Sequence, residues 1–258
     1  MNRVAEICCG SLEDALVAEK AGADRIELNN AMFLSGLTPS LGTIDLVVHQ
    51  CNIPIVVMVR PRPGGFFYNP YEFETIVADV EAIAKYDIEG IAFGCLDENG
   101  NIDQEKNKRI IDLIHNYQKD AIFHRAFDFV NDPFESIEIL IELGVKRVLT
   151  SGLKNSAMEG IELLRELEEK YGDKIDILVG GGVNSDNVSH FIQQTGIKQY
   201  HSSCTGWRRD PTTFKEQVSF SFAEPPHHED YNIVDYQTAI KFVSSVKESG
   251  DNLISKKG

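Results

Sequence analysis

Three segments of the sequence carry basic, hydroxyl or glycine residues of the kind that bind small anions. In the first segment, RPRPGG, Arg60 and Arg62 are two positions apart at the end of a short apolar run. Because side chains alternate along an extended chain, both guanidinium groups would face one side and could recognise a phosphate or carboxylate together. The alternative is an internal salt bridge from these arginines to Glu6 or Glu27.

The other two segments are the glycine triplet of LVGGGVN and the run QYHSS. Glycines after a strand let backbone N–H groups approach an anion, and a helix that opens there adds a favourable dipole. The alternative is that the triplet makes only a tight turn. The hydroxyls of Thr150 and Ser151, in the segment TSG, could likewise only cap a helix. The predicted anion-binding residues are Arg60, Arg62, Arg125, Ser151, Gly180, Gly181, Gly182, His201, Ser202 and Ser203.

A histidine in the segment FHRAFD is a candidate for proton transfer. His124 has a side chain suited to general acid or base catalysis near neutral pH, and Asp128 or Glu27 could orient its ring. A histidine whose hydrogen bonds are satisfied within the core is the alternative. The predicted catalytic residues are Glu6, Glu27, His124 and Asp128.

Two of the five cysteines, Cys8 and Cys9, are adjacent at the end of a predicted strand. Alternation of side chains places Cys8 on the same face of the strand as Glu6, toward the interior of the protein, and Cys9 on the opposite face. The two thiols therefore cannot easily chelate one ion together, and a Cu(I) site needs at least two convergent soft ligands. From the residues alone, buried structural thiols are the favoured interpretation.

These chemical groups lie near the ends of eight short apolar runs that alternate with helical patterns. Such runs are typical of parallel strands that are buried on both faces. A glycine followed by two linking residues and then a strand recurs in AGADRIEL, LGVKRVLT and TGIKQYHS, as expected where a left-handed helix cap leads into a strand. The predicted strands are 4–9, 25–28, 55–60, 90–93, 121–125, 147–150, 176–179 and 199–202.

Eight repeated βα units without a central linker predict the α/β class and a closed (β/α)₈ TIM barrel, with an open eight-stranded sheet as the alternative. We predict one domain over residues 1–258. Within it, the barrel core covers about 4–204, a long loop 205–234 and a C-terminal helix 235–249. Side chains at the C-terminal ends of barrel strands converge on one mouth, where the functional site is expected.

Charge and composition limit the possible partners. The net charge of −15 argues against nucleic acid, which requires a basic face. We find neither a signal peptide nor an apolar run long enough for a membrane span, so no membrane partner is expected. An odd number of cysteines without a CxxC motif is typical of reduced thiols, which predicts a cytoplasmic protein.

Several long motifs of the chain, in the same order, resemble the CutC family. They include GSLEDAL, AGADRIEL, GLTPSLG, VMVRPRPGGFFY, FHRAFD, GGGVNSDN and TGIKQYHSS, and the resemblance covers roughly residues 4–206. It implies a cytoplasmic α/β barrel, a homo-oligomer and a role in copper homeostasis. The copper ligands proposed for animal relatives fall on Cys8, late in strand one, and on Asn29, where the relatives carry a cysteine.

Two hypotheses about function follow. The resemblance implies a copper-homeostasis protein that binds Cu(I) through Cys8, although Asn29 supplies no second thiol. The residues at the mouth equally suit an enzyme of the isomerase, epimerase or lyase type that acts on a small phosphorylated or carboxylated substrate. Both hypotheses place a small anionic ligand at the barrel mouth, and neither is decided by the sequence.

Overall fold

Eight parallel strands close into a barrel in the computed structural model, which describes residues 3–248. Each strand pairs with the next in the chain, and β8 pairs with β1, so the predicted TIM barrel is confirmed. The strands are β1 (Val4–Cys9), β2 (Arg25–Leu28), β3 (Ile55–Met58), β4 (Gly90–Phe93), β5 (Asp120–Phe123), β6 (Arg147–Thr150), β7 (Asp176–Val179) and β8 (Gln199–Ser202).

Two strands end two residues before their predicted ends. β3 stops at Met58, because Pro61 has no N–H to continue the ladder and the Arg60 N–H donates to the Thr38 hydroxyl. β5 stops at Phe123, and the chain then turns into a short 3₁₀ helix, Arg125–Phe129. Arg60, His124 and Arg125 therefore reach the mouth from segments that follow the strands.

Helices connect the strands and cover the outside of the barrel. Several of their first turns are capped by a side chain, for example by Asp132 ahead of Pro133. Gly22, Gly144 and Gly196 have φ values of 87°, 86° and 74°, which confirms the predicted left-handed turns before β2, β6 and β8. The helices are α1 (Leu12–Lys20), α2 (Leu41–Gln50), α3 (Pro70–Ile83), α4 (Gln104–Asn116), α5 (Pro133–Glu142), α6 (Ile161–Tyr171), α7 (Val188–Thr195) and α8 (Tyr236–Glu248).

The segment 205–234, which we predicted as a long loop, contains four short strands. Its ends form an antiparallel pair, β9 (Thr205–Arg209) and β12 (Asp230–Val234), and a second pair, β10 (Phe214–Lys215) and β11 (Val218–Ser219), lies between them. The Val234 N–H donates to the buried Asp14 carboxylate, which ties the segment to α1. The final helix spans Tyr236–Glu248, and residue 249 of the predicted helix lies outside the described residues.

The apolar core lies mainly between the strands and the surrounding helices, while part of the barrel interior is charged. Glu6 forms an ion pair with Arg25, which also reaches Glu89, and Glu89 pairs with Arg147 at 3.0 Å. All four residues lie toward the N-terminal half of the barrel, below the mouth. Among residues 3–248, no helix combines the length and apolar character that crossing a bilayer requires.

Candidate functional site

A cavity of about 720 Å³ opens at the C-terminal ends of the strands. Its volume is in the usual range for small-molecule sites, roughly 300–1,000 Å³. Of the residues predicted for function, ten line it: Cys8, Glu27, Arg60, His124, Arg125, Gly181, Gly182, His201, Ser202 and Ser203. Glu6, Arg62, Asp128, Ser151 and Gly180 are not among the lining residues.

Three side chains with different metal-binding atoms converge on one wall of the cavity. Cys8, Glu27 and His201 each place a ligand atom within 4.8 Å of the other two. The strand register explains this arrangement, because Cys8 lies opposite Glu27 on β2, while β8 closes against β1 and brings His201 beside them. The thiol, the carboxyl group and the imidazole therefore form one cluster, which we call the soft-donor cluster.

Two further residues complete the surroundings of the Cys8 thiol. The Met32 Sδ lies 3.6 Å from the Cys8 Sγ. The Asn29 amide donates to the Cys8 Sγ at 3.2 Å and to Glu27 Oε2 at 2.9 Å. At the position where the resemblance expects a second thiol, Asn29 therefore supplies a hydrogen bond to the first one, and a thioether supplies the second sulfur.

Hydrogen bonding leaves one nitrogen of His201 available to the cluster. Its Nδ1 lies 2.6 Å from Glu6 Oε1, so Nε2 is the nitrogen that remains for a ligand. Burial opposes ionisation of Glu6, but the Arg25 charge and the His201 contact outweigh it and hold the pKa of Glu6 below its usual range. Glu6 is therefore a buried anion that orients the His201 ring from beneath the cavity.

The thiol of Cys8 is protonated in the absence of a metal. Burial raises the pKa of Cys8 well above its ordinary value, and the neighbouring Glu27 raises it further. Burial also raises the pKa of the Glu27 carboxyl. For His201, burial favours the neutral ring, but the bond to Glu6 and the Glu27 charge raise its pKa overall.

His124 is a buried, neutral donor at the cavity wall. Its Nδ1 accepts the Ala126 N–H at 3.2 Å, which places the ring proton on Nε2, and Nε2 has no partner among the described residues. Burial, followed by the Arg60 charge, lowers the pKa of His124 to about 3. The prediction that Asp128 or Glu27 orients this ring is wrong, because the backbone holds it.

We expect the stability of the protein to fall on acidification through His124. An unfolded histidine titrates near pH 6.5, whereas the folded one titrates near 3, so only the unfolded state gains the proton between these values. The free energy of unfolding should therefore decrease below pH 6.5 by about 1.4 kcal/mol per pH unit from this group alone. Urea titrations at pH 4, 5, 6 and 7 should show a shallower decrease for His124→Gln. Equal slopes would contradict the burial of an unprotonated ring.

Asp128 holds Arg125 in place. Its carboxylate accepts from Arg125 Nε at 2.7 Å, the Thr150 hydroxyl at 2.6 Å, and the Ser151 N–H and hydroxyl, both at 2.9 Å. Ser151 also accepts from Arg125 Nη2 at 2.8 Å. Asp128 and Ser151 thus position the guanidinium that lines the cavity.

The two arginines after β3 do not form one fork. Arg62 is paired with Glu72. Arg60 is buried and donates to the carbonyl oxygens of Leu34, Gly36 and Gly64. Among residues 3–248, no carboxylate forms an ion pair with Arg60, so the predicted alternative of a salt bridge to Glu6 or Glu27 is also wrong.

The glycine triplet has two separate roles. A Cβ on Gly180 would lie 2.6 Å from Leu149 Cδ1, so this glycine permits close packing of β7. Gly181 and Gly182 have φ values of 97° and 84° and line the cavity. The helix after the triplet, α7, begins only at Val188, so the N–H groups of its first turn do not belong to the triplet.

The fold and the cavity define a (β/α)₈ barrel with soft metal donors and buried cationic groups at its mouth. The chain belongs to the CutC family, whose model matches residues 3–206. The β9–β12 segment and α8 lie almost entirely beyond that match.

Relatives of the chain agree with this assignment. A family protein CutC of Treponema denticola is 44% identical over 81% of the chain and 84% of its own length. A human copper homeostasis protein cutC homolog is 38% identical over 81% of the chain and 76% of its own length. A crystal structure of a Streptococcus agalactiae copper homeostasis protein CutC is 32% identical, with a TM-score of 0.73, over 78% of this chain and 98% of that one.

Proposed function

We propose that this protein binds a copper(I) ion at the barrel mouth. The convergence of Cys8, Glu27 and His201 within 4.8 Å carries the proposal. The Met32 thioether, 3.6 Å from the Cys8 sulfur, adds a second soft donor. Thiolate and thioether sulfur favour Cu(I), and imidazole is also a good copper ligand, so the chemistry of the donors fits this ion.

The contact between Glu6 and His201 suits a histidine that binds a metal. Histidines that bind metals commonly donate a hydrogen bond from their other ring N–H to a carboxylate, which fixes the tautomer and raises ligand basicity. Glu6 occupies that position for His201, at 2.6 Å from Nδ1. Since the Cys8 thiol is protonated without metal, binding of the ion would displace its proton to solvent.

We favour this function over the proton-transfer enzyme that the sequence also suggested. In that alternative His124 or a carboxylate at the mouth moves the proton, but the Nδ1 of His124 is already occupied and its pKa of about 3 makes it a poor proton acceptor at neutral pH. His124 is better suited to donate one hydrogen bond from Nε2.

Titration of the reduced, metal-free protein with Cu(I) against a competing chelator tests the proposal. We expect one ion per chain, and copper K-edge X-ray absorption should show sulfur together with nitrogen or oxygen ligands. Failure of the protein to remove copper from the chelator, or a spectrum without sulfur, would overturn the proposal.

Met32→Leu should weaken Cu(I) binding by about tenfold, because leucine keeps the volume of methionine and removes the thioether donor. Met58→Leu is the matched control, since Met58 also lines the cavity but lies on β3. The chelator competition should show less than about a twofold change for the control. A similar loss in both variants would exclude Met32 as a specific ligand.

We further propose that the protein works in the cytoplasm as a homo-oligomer. The five free, buried cysteines suit a reducing compartment. Exposed Phe214, Val218 and Phe220 of the β9–β12 segment offer an apolar surface for association. Light scattering of the purified protein tests the homo-oligomer, and a monomer at micromolar concentration would contradict it.

A further inference from the structure

We propose that the cavity at the barrel mouth also binds a small organic phosphate that carries an apolar or aromatic group. This binding does not depend on the copper ion. The cavity volume of about 720 Å³ is far larger than one metal ion fills and suits a small organic molecule. The soft-donor cluster occupies only the wall formed by β8, β1 and β2.

The uncompensated positive charge of Arg60, in the segment that follows β3, favours an anionic ligand. Arg60 is only 6% exposed, and its guanidinium is held by backbone carbonyls rather than by a carboxylate. A buried cation without an anionic partner is costly, so an anion that enters the cavity would be stabilised by it.

One buried donor on the cavity wall has no partner. His124 Nε2, which carries the ring proton, lacks an acceptor among the described residues, and this side chain lines the cavity. Unsatisfied buried donors are rare in native proteins, and this one is explained if a ligand oxygen accepts from it.

The phosphate end is assigned to the loops after β7 and β8. In the described part of the chain, the N–H groups of Gly181, Gly182 and Ser203 have no hydrogen-bond partner, and these residues line the cavity. A Cβ on Gly181 would lie 3.5 Å from the Arg125 guanidinium carbon, so backbone and guanidinium are close neighbours. Free backbone N–H groups beside an arginine can donate hydrogen bonds to phosphate oxygens.

An apolar wall lies beside Arg60 and His124, both of which contact the Phe66 ring. Phe66 and Phe129 are in aromatic contact, with ring centroids 5.5 Å apart, and Met58 and Leu149 complete the surface. Phe129 is 66% exposed despite its place at the cavity. The combination indicates a ligand with an aromatic or aliphatic body rather than inorganic phosphate alone.

Calorimetry on the metal-free protein with phenyl phosphate, inorganic phosphate, benzoate and phenol tests the proposal. We expect phenyl phosphate to bind at least about tenfold more tightly than each of the other three, because only it carries both a phosphate group and an aromatic ring. The ¹H–¹⁵N resonances of Gly181, Gly182 and Ser203 should shift on its addition. Tighter binding of benzoate would overturn the assignment to phosphate, and absence of binding would overturn the site.

A matched pair of variants localises the anion. Ser203 is exposed, so both Ser203→Asp and Ser203→Asn should leave the fold intact. The aspartate should weaken phenyl phosphate at least about tenfold, and the asparagine less than threefold, through charge repulsion alone. Equal effects of the two substitutions on affinity, or resonance shifts confined to residues other than Gly181, Gly182 and Ser203, would place the phosphate elsewhere. Because no metal is present, failure of copper binding would leave these results unchanged.

Discussion

Replacing Cys8 with alanine should lower the affinity of the protein for Cu(I) by more than about 100-fold. Loss of a residue that only hydrogen-bonds to a metal ligand already lowers metal affinity roughly 10- to 100-fold. Loss of the thiolate ligand itself should lower it further. Among the described residues that line the cavity, Cys8 alone carries a thiol. The measurement is chelator competition with the reduced protein at neutral pH.

Cys9→Ala is the control for this prediction. Cys9 is fully buried next to Cys8, but it faces the layer between the barrel and the helices. Its replacement should lower stability modestly and leave the Cu(I) affinity unchanged. If both variants lose copper equally, the soft-donor cluster is not the binding site.

Replacing Glu6 with glutamine should destabilise the folded protein by about 3 kcal/mol, because breaking a buried ion pair leaves an uncompensated charge. Glu6 is 1% exposed and pairs with Arg25, itself 5% exposed. Arg25 keeps a weaker contact to Glu89 at 3.5 Å, so we place the effect at the low end for buried pairs. Urea-induced unfolding of both proteins measures it.

Glu13→Gln is the matched comparison, since Glu13 pairs with Arg208 at the surface. Exposed ion pairs contribute at most about 1 kcal/mol, so this variant should unfold near the wild-type midpoint. Equal stability losses would mean that the Glu6 charge is solvated in the folded protein, contrary to its position inside the barrel.

Local signals explain why so much of the barrel could be predicted. The glycine turns at Gly22, Gly144 and Gly196 mark junctions between a helix and a strand, and each requires a left-handed backbone. Because successive side chains of a strand point to opposite faces, the sequence alone also places Cys8 and Cys9 on different faces of β1. These features depend on neighbours in sequence, which a single sequence displays.

The soft-donor cluster depends on distant parts of the chain, so its assembly could not be predicted. His201 reaches Cys8 only because β8 closes against β1 in a particular register. Met32 reaches it through a 3₁₀ turn flanked by Ala31 and Ser35, both in the left-handed region although neither is glycine. The one available signal was a methionine sulfur in a loop that leaves the C-terminal end of a strand.

The same distinction applies to the groups around Arg125 and Arg60. The sequence marks both arginines as anion ligands, yet only the folded chain shows that Asp128 holds one and that backbone carbonyls hold the other. The hairpins within 205–234 were missed because their strands are two to five residues long and mostly exposed.

The opposed directions of Cys8 and Cys9 also determine how the site responds to oxidants. Adjacent residues on a strand have α-carbons about 3.8 Å apart, closer than an ordinary disulfide allows, and these two thiols point to opposite faces. Oxidation of Cys8 would therefore stop at sulfenic acid or proceed to irreversible products, with Cys9 unable to resolve it. Its burial and raised pKa slow that reaction, so shielding of the sulfur, rather than repair by a neighbour, preserves the site.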